Sequence, residues 1–127
     1  MRFICITEKT LSQYKTQINS FYKTLDTEKN FFNLPFKRII NSSLIILAID
    51  KNNIIGLAGL EKKYGIFRSY IVVKKEHQRQ GIGKKLKFEL LRKAKPICNI
   101  VMAIIDFKNV KSLKFHLGIG YKLVGKR

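Results

Sequence analysis

SYIVVKKEHQRQGIGKK, residues 69 to 85, passes from an apolar β-branched run into a turn with glycines at 81 and 83, and on into a basic helix start. The longer stretch IFRSYIVV (66 to 73) has apolar residues in both alternating sets, Phe67, Ile71 and Val73 on one and Ile66, Tyr70 and Val72 on the other. That pattern describes a central strand covered on both faces. Leu86, Leu90 and Ala94, with Leu91, give a helix from about Gly83 to Lys95, stopped by Pro96. Where a central strand hands over to a helix, several backbone N–H groups lack an intrahelical partner and the helix dipole is positive, which suits an anion. Glycine at 81 and 83 lets the backbone approach a phosphate that a Cβ would hold off.

Two phosphate motifs are excluded by the residues at fixed positions. A Walker loop needs Gly at 78 and a hydroxyl at 85, where Gln78 and Lys85 stand; the GxGxxG fingerprint needs Gly at 86, where Leu86 stands. Lys84 and Lys85 in the first turn oppose the dipole by about 0.3–1 kcal/mol each, a placement that makes sense if an anion arrives there. A plain surface turn in a Lys-rich chain is the other reading of this stretch.

The remaining elements follow from periodicity and turn chemistry. RFICIT (2 to 7) reads as a strand, and Thr10 with Gln13 forms a capping-box pattern ahead of Leu11, Tyr14, Ile18, Phe21 and Leu25 at helical spacing. Pro35 opens a short helix near 35 to 41. SLIILAID (43 to 50) and IIGLAGLEK (54 to 62) flank the turn-forming KNN as a hairpin, and Tyr64 and Gly65 turn the chain into 66 to 73. ICNIVMAII (97 to 105) reads as a buried strand, Asn109 to Leu117 as a helix with Val110, Leu113 and Leu117 on one face, and YKLVGK (121 to 126) as a last strand. The order β, α, α, β, β, β, α, β, α, β, with a parallel crossover at the strand–helix–strand unit, predicts an α/β fold, α+β in stricter nomenclatures. Its central sheet is mixed and mostly antiparallel, with helices on both faces.

The 127 residues, 46% hydrophobic and without a long Pro, Ser or Gly tract, predict one domain over 1–127. The formal charge of +18 and pI of about 10.2 raise nucleic acid, an anionic membrane surface or acidic substrates as partners. Most of the excess is Lys scattered among abundant Ile and Asn, a pattern that compositional drift produces as readily as a binding face. Cys5 and Cys98, in apolar contexts with no metal-like spacing, read as buried free thiols in a reducing compartment. With no signal peptide or membrane span in the sequence, the expected location is the cytoplasm, with no membrane partner.

QRQGIG (78 to 83), placed after YIVVKKEH, resembles the (Q/R)xxGx(G/A) signature of the GNAT superfamily of acyl-CoA-dependent N-acetyltransferases. NVKSLKFHLGIGY (109 to 121) resembles the family's second block, through Asn109, Ser112, Phe115, His116, Gly120 and Tyr121. The resemblance covers most of the chain. It implies that the amides of Arg79, Gln80, Gly81, Ile82, Gly83 and Lys84, with Gln78 opening the motif, hold the pyrophosphate of acetyl-CoA. It implies too that the backbone of Ile71, Val72 and Val73 pairs with the pantetheine arm, and that Asn109 meets the cofactor near its thiol end, with Phe115 beside it. A backbone N–H, that of Val73, is expected to polarise the thioester carbonyl.

The implied reaction is acetyl transfer from acetyl-CoA to a primary amine by direct attack, with no metal and no covalent enzyme intermediate. Small molecules, polyamines, protein N-termini, lysines and aminoacyl-tRNA are all candidate amines. The sequence departs from the family in three places. His116 stands where Tyr is usual as the acid for the leaving thiolate. The strand 67 to 73 has no carboxylate, which leaves Glu61 and Asp106 as substitute bases. The chain ends after YKLVGKR, where the family continues, so the substrate side is either open or completed by a second subunit in a homodimer. The alternative function is a non-catalytic basic module of the same fold that binds nucleic acid. His116 also has a packing reading, beside Leu113 and Leu117, and Asn109 a helix-capping one.

Overall fold

A computed structural model describes residues 1–25, 35–78, 80–105 and 108–122. In chain order these form β1 (Arg2–Thr7), α1 (Leu11–Thr24), α2 (Phe36–Ile40), β2 (Leu44–Asp50), β3 (Asn53–Lys63), β4 (Ile66–Val73), a 3-10 turn (Lys75–His77), α3 (Ile82–Ala94), β5 (Met102–Ala103) and α4 (Val110–Gly118). The strands lie side by side in sequence order, antiparallel from β1 through β4, with β5 parallel to β4. The expected last strand lies, from residue 123 on, outside the described residues.

Two tight turns set the register of the central strands. Lys51 and Asn52, at φ of 50° and 65°, connect Asp50 to its partner Asn53, and Tyr64 and Gly65, at 52° and 77°, connect Lys63 to Ile66. Two successive residues with positive φ twist in the sense of the flanking strands, as type I′ turns do. Thr10 precedes α1 as expected, but the capping box is not formed. Its hydroxyl turns back on the strand end, accepting from the Thr7 N–H (3.1 Å) and donating to the Thr7 carbonyl (3.3 Å). Pro35 is the residue before α2 and not its first helical position.

Each face of the sheet has its own core. Ile18 and Phe21 of α1 and Ile39 of α2 bury against Ile45, Leu47, Leu57 and Val72. On the other face Ile82, Leu86, Leu90 and Ala94, one per turn of α3, bury against Ile46, Ala48, Ala58 and Leu60. Tyr70 crosses directly above Gly59, where a Cβ would fall 2.0 Å from the Tyr70 ring.

Two further expectations give way. ICNIVMAII is not a buried strand over 97 to 105: only Met102 and Ala103 pair, and Ile97, Ile100 and Ile104 are exposed. The apolar run promised burial, but among the described residues its segment has β4 as its strand neighbour, over two rungs. In α4 the packed face carries His116, while Val110 and Leu117 point to solvent. The buried imidazole takes the inward position because Ser112 of its own helix meets its polar nitrogen.

Candidate active site

β4 and β5 part company early. Their ladder consists of Arg68↔Met102 and Ser69↔Ala103, yet β4 continues to Val73. The Lys74 N–H donates to the Ile55 carbonyl (2.8 Å), so by antiparallel alternation Val72 points its backbone groups at β3 while Ile71 and Val73 point theirs toward the β5 side, beyond the last rung. A wedge therefore opens at Ser69 and widens toward Val73, about 13 Å long at ~3.3 Å per residue. An extended ligand with amide groups fits there as an added strand.

The wide end of the wedge meets the first turn of α3. Gly81, at φ 78° and ψ 3°, is the residue before the helix and supplies no capping side chain. The Lys85 N–H already reaches the Gly81 carbonyl (3.1 Å), which leaves the amides of Ile82, Gly83 and Lys84 as the first-turn donors with no backbone partner among the described residues. No acidic residue stands in that turn, and Gln80, Lys84 and Lys85 are exposed around it. Arg79 lies outside the described residues. The Gln78 amide group donates to the Val73 carbonyl (3.0 Å) and accepts from Lys111 (2.9 Å), so this side chain ties the end of β4 to α4. A Cβ on Gly83 would have ordinary contacts with Ile71 (3.6 Å) and the Phe115 ring (3.7 Å), whereas one on Gly81 would point into open space from a left-handed backbone.

α4 closes the same side. Asn109 caps it by accepting from the Ser112 N–H at 3.1 Å. His116 is buried between the rings of Phe115 and Tyr121, edge-on to both, at 5.1 and 5.0 Å between centroids. Its Nδ1 donates to the Ser112 carbonyl at 2.8 Å, which fixes the proton on that nitrogen in the neutral ring. Burial foremost, and the charge of Lys87, hold the imidazole below its ordinary value despite the Ser112 contact. A neutral ring at neutral pH is not an imidazolium donor.

At the narrow end stands a group that periodicity conceals. Lys87 of α3 is fully buried, and its Nζ donates to the Ser69 hydroxyl at 2.6 Å. Ser69 Oγ lies 2.9 Å from the Tyr121 hydroxyl and 3.2 Å from the Met102 carbonyl across the last rung. Burial alone pulls the Lys87 amine down to about 7, and burial pushes the Tyr121 hydroxyl above its usual value.

Glu61 is on the opposite face of the sheet, engaged with two arginines. One oxygen accepts from Arg38 Nε at 3.1 Å; the other contacts Arg38 Nη2 and lies 3.3 Å from Arg68 Nη2. That Arg68 nitrogen is within ion-pair reach but not aligned for a hydrogen bond, and Arg68 Nε is also buried without one. Asp106 lies outside the described residues.

Residues 10–121 match the Acetyltransferase (GNAT) family. The chain belongs to this family. Solved structures show the same fold at low identity. An aminoglycoside N-acetyltransferase in complex with CoA superposes with a TM-score of 0.69 at 12% identity, over 99% of this chain and 90% of that one. A ribosomal-protein-alanine N-acetyltransferase from Brucella melitensis gives 0.69 at 18% identity, over 98% and 86%. An aminoglycoside 6'-N-acetyltransferase from Acinetobacter haemolyticus gives 0.66 at 18%, over 100% and 94%. A comparison with curated protein sequences finds no match.

As a GNAT enzyme the protein transfers an acetyl group from acetyl-CoA to an amine. None of its described helices is long and apolar enough to cross a membrane. Against this family background, Ile71, Val73, Ile82, Gly83, Lys84, Asn109, Phe115 and His116 all gather on the β5 side of β4 and around the α3 turn, and Glu61 does not. Lys87, Ser69 and the Tyr121 hydroxyl were not singled out by sequence. The signal for Lys87 is its position, one residue after Leu86 and three before Leu90, at the border of the α3 apolar stripe.

Proposed function

We propose that acetyl-CoA binds along the β4–β5 wedge, with its pyrophosphate on the amides of Ile82, Gly83 and Lys84 and its pantetheine amides against Ile71 and Val73. The observation that carries this reading is the early end of the β4–β5 ladder at Ser69, with β4 running on to the bare first turn of α3. Two fixed ends orient the ligand. With phosphates at the wide end, the thioester reaches toward Ser69, so the Ile71 N–H, nearer the apex than Val73, is the better placed donor to the thioester oxygen.

The chemistry is direct attack. A neutral amine adds to the thioester carbonyl, the Ile71 N–H stabilises the developing oxyanion, and collapse expels CoA as a thiolate that requires a proton. Gln78 fixes the end of β4, and Phe115 with Gly83 walls the arm.

Net charge selects among amines. At +18 the protein repels polycations and draws in amines carried on anionic molecules, such as an acidic peptide with a free N-terminus or an aminoacylated nucleic acid. The test is CoA release with a panel containing sisomicin, spermidine and an acidic peptide with N-terminal alanine. Faster transfer to the peptide, weakening as salt rises, supports the reading; preference for the polycations overturns the charge argument. Absence of acetyl-CoA binding by calorimetry overturns the site.

A further inference from the structure

Lys87 has no packing reason to be a lysine. A Leu or Met would fill the same space in the α3 core without desolvating an amine, and buried charge is costly unless paired. Among the described residues the amine meets no carboxylate. It faces Ser69 of β4, the Tyr121 ring at 5.3 Å, and, beyond that ring, His116 of α4. Its partner Ser69 is the residue at which β4 and β5 separate, and the Ser69 hydroxyl reaches across that last rung to the Met102 carbonyl.

We propose that Lys87, acting through the Ser69 hydroxyl, supplies the proton taken up by the departing CoA thiolate. The proposal rests on the placement of acetyl-CoA in the wedge, which brings the sulfur to the apex. When the C–S bond breaks, its electron pair leaves on sulfur. The Ser69 O–H proton, turned from the Met102 carbonyl, goes to sulfur, and a Lys87 N–H proton replaces it on Ser69 Oγ. Lys87 is left neutral and regains a proton from the one that the attacking amine releases, so amine and acetyl-CoA become amide and CoA thiol with nothing left over.

Acidity decides among the three neighbouring groups. An ordinary thiol has a pKa of about 8.5, so an ammonium at about 7 gives up its proton to the thiolate downhill. Tyr121, raised above its usual value, gives it up uphill, and His116 is already neutral. Ser69 is the group that touches sulfur; Lys87 is the reservoir behind it.

The test uses hydroxylamine as acceptor, a small nucleophile already neutral at pH 7, with CoA thiol release as the readout and calorimetry for acetyl-CoA affinity. The wild type should lose turnover as pH rises through about 7. Lys87→Met should bind acetyl-CoA as the wild type does, turn over roughly 10²–10⁴-fold more slowly at pH 7, and lack that alkaline limb. Ser69→Ala, which leaves the amine in place, should behave alike and serves if Lys87→Met does not fold. A Lys87→Met enzyme that keeps the limb, or a rate within about threefold of wild type, far below that range, overturns the proposal. So does acetyl-CoA binding without any transfer to hydroxylamine. Failure of the wild type to bind acetyl-CoA removes the site reading itself, a separate result.

Discussion

The Lys87 ammonium nitrogen stands 2.6 Å from the Ser69 hydroxyl inside the α3–β4 interface, with no counter-charge beside it among the described residues. The unfolded chain keeps this lysine protonated to about 10.4, while the folded chain releases the proton at about 7. Between those values the unfolded state binds one more proton, so wild-type stability rises with pH. Lys87→Met, close in volume, should be more stable by about 3–5 kcal/mol at or below pH 7, and the difference should shrink toward pH 10. Urea unfolding at pH 6.5 and 9.5 measures it; equal differences at both values contradict a buried amine.

His116 acts in the same direction at lower pH. Its folded value is held below the ordinary 6.5, so as pH falls below 6.5 the unfolded chain takes up a proton that the folded chain refuses, and stability is lost. His116→Phe should remove that acid loss and keep the rings of Phe115 and Tyr121 packed. Its turnover should stay within about tenfold of wild type, below the 10²–10⁴ expected for a lost general acid. A larger fall, with cofactor affinity unchanged, would restore His116 to the proton path.

Glu61→Gln tests whether that carboxylate is a base or a brace. Bound between Arg38 and Arg68, it should act as a brace: the variant weakens the hydrogen bonds from Arg38 and removes the counter-charge beside Arg68, whose buried Nε and Nη2 already lack a hydrogen bond, and costs about 1–3 kcal/mol. Turnover per folded molecule should hold. A loss of two orders of magnitude or more in turnover with stability intact, the scale of a removed general base, would reassign it.

The two glycines of the motif should separate. Gly81→Val forces a β-branched residue into a left-handed conformation before α3, at about 1–2 kcal/mol, and distorts the turn that offers the amides. Gly83→Ala finds ordinary contacts with Ile71 and Phe115. Calorimetry should show acetyl-CoA affinity falling at least tenfold in Gly81→Val, with Gly83→Ala folding as the wild type does by thermal unfolding. Unchanged affinity in Gly81→Val contradicts the phosphate turn.

The fold was legible wherever local chemistry and burial agree. Asn and Gly at the turns, the doubly apolar β4 and the one-per-turn stripe of α3 each specify their element without long-range help. The 97 to 105 segment misled because apolar content signals burial only if another layer arrives to cover it, and among the described residues only Met102 and Ala103 pair. At the site, the glycine turn was readable from its place between strand and helix, and Asn109 as a helix cap from its residue type; a cofactor role for Asn109 came only from the family resemblance. Lys87 was not readable, because among 26 basic residues a lysine at the border of a helix stripe looks solvated, and only the fold shows that it ends on Ser69. Glu61 shows the converse. Its place near the end of β3 suggested a base, but its cross-strand partner is Arg68, a pairing fixed by a register that sequence does not print.

Amide hydrogen exchange with and without acetyl-CoA, resolved by residue, tests the wedge most directly. The Ile71 and Val73 amides point to the β5 side beyond the last rung, while Val72 points to β3. Acetyl-CoA should slow exchange at Ile71 and Val73 and at Ile82 to Lys84, and leave Val72 as it was. Saturating acetyl-CoA with no added protection at Ile71 and Val73 would contradict the account.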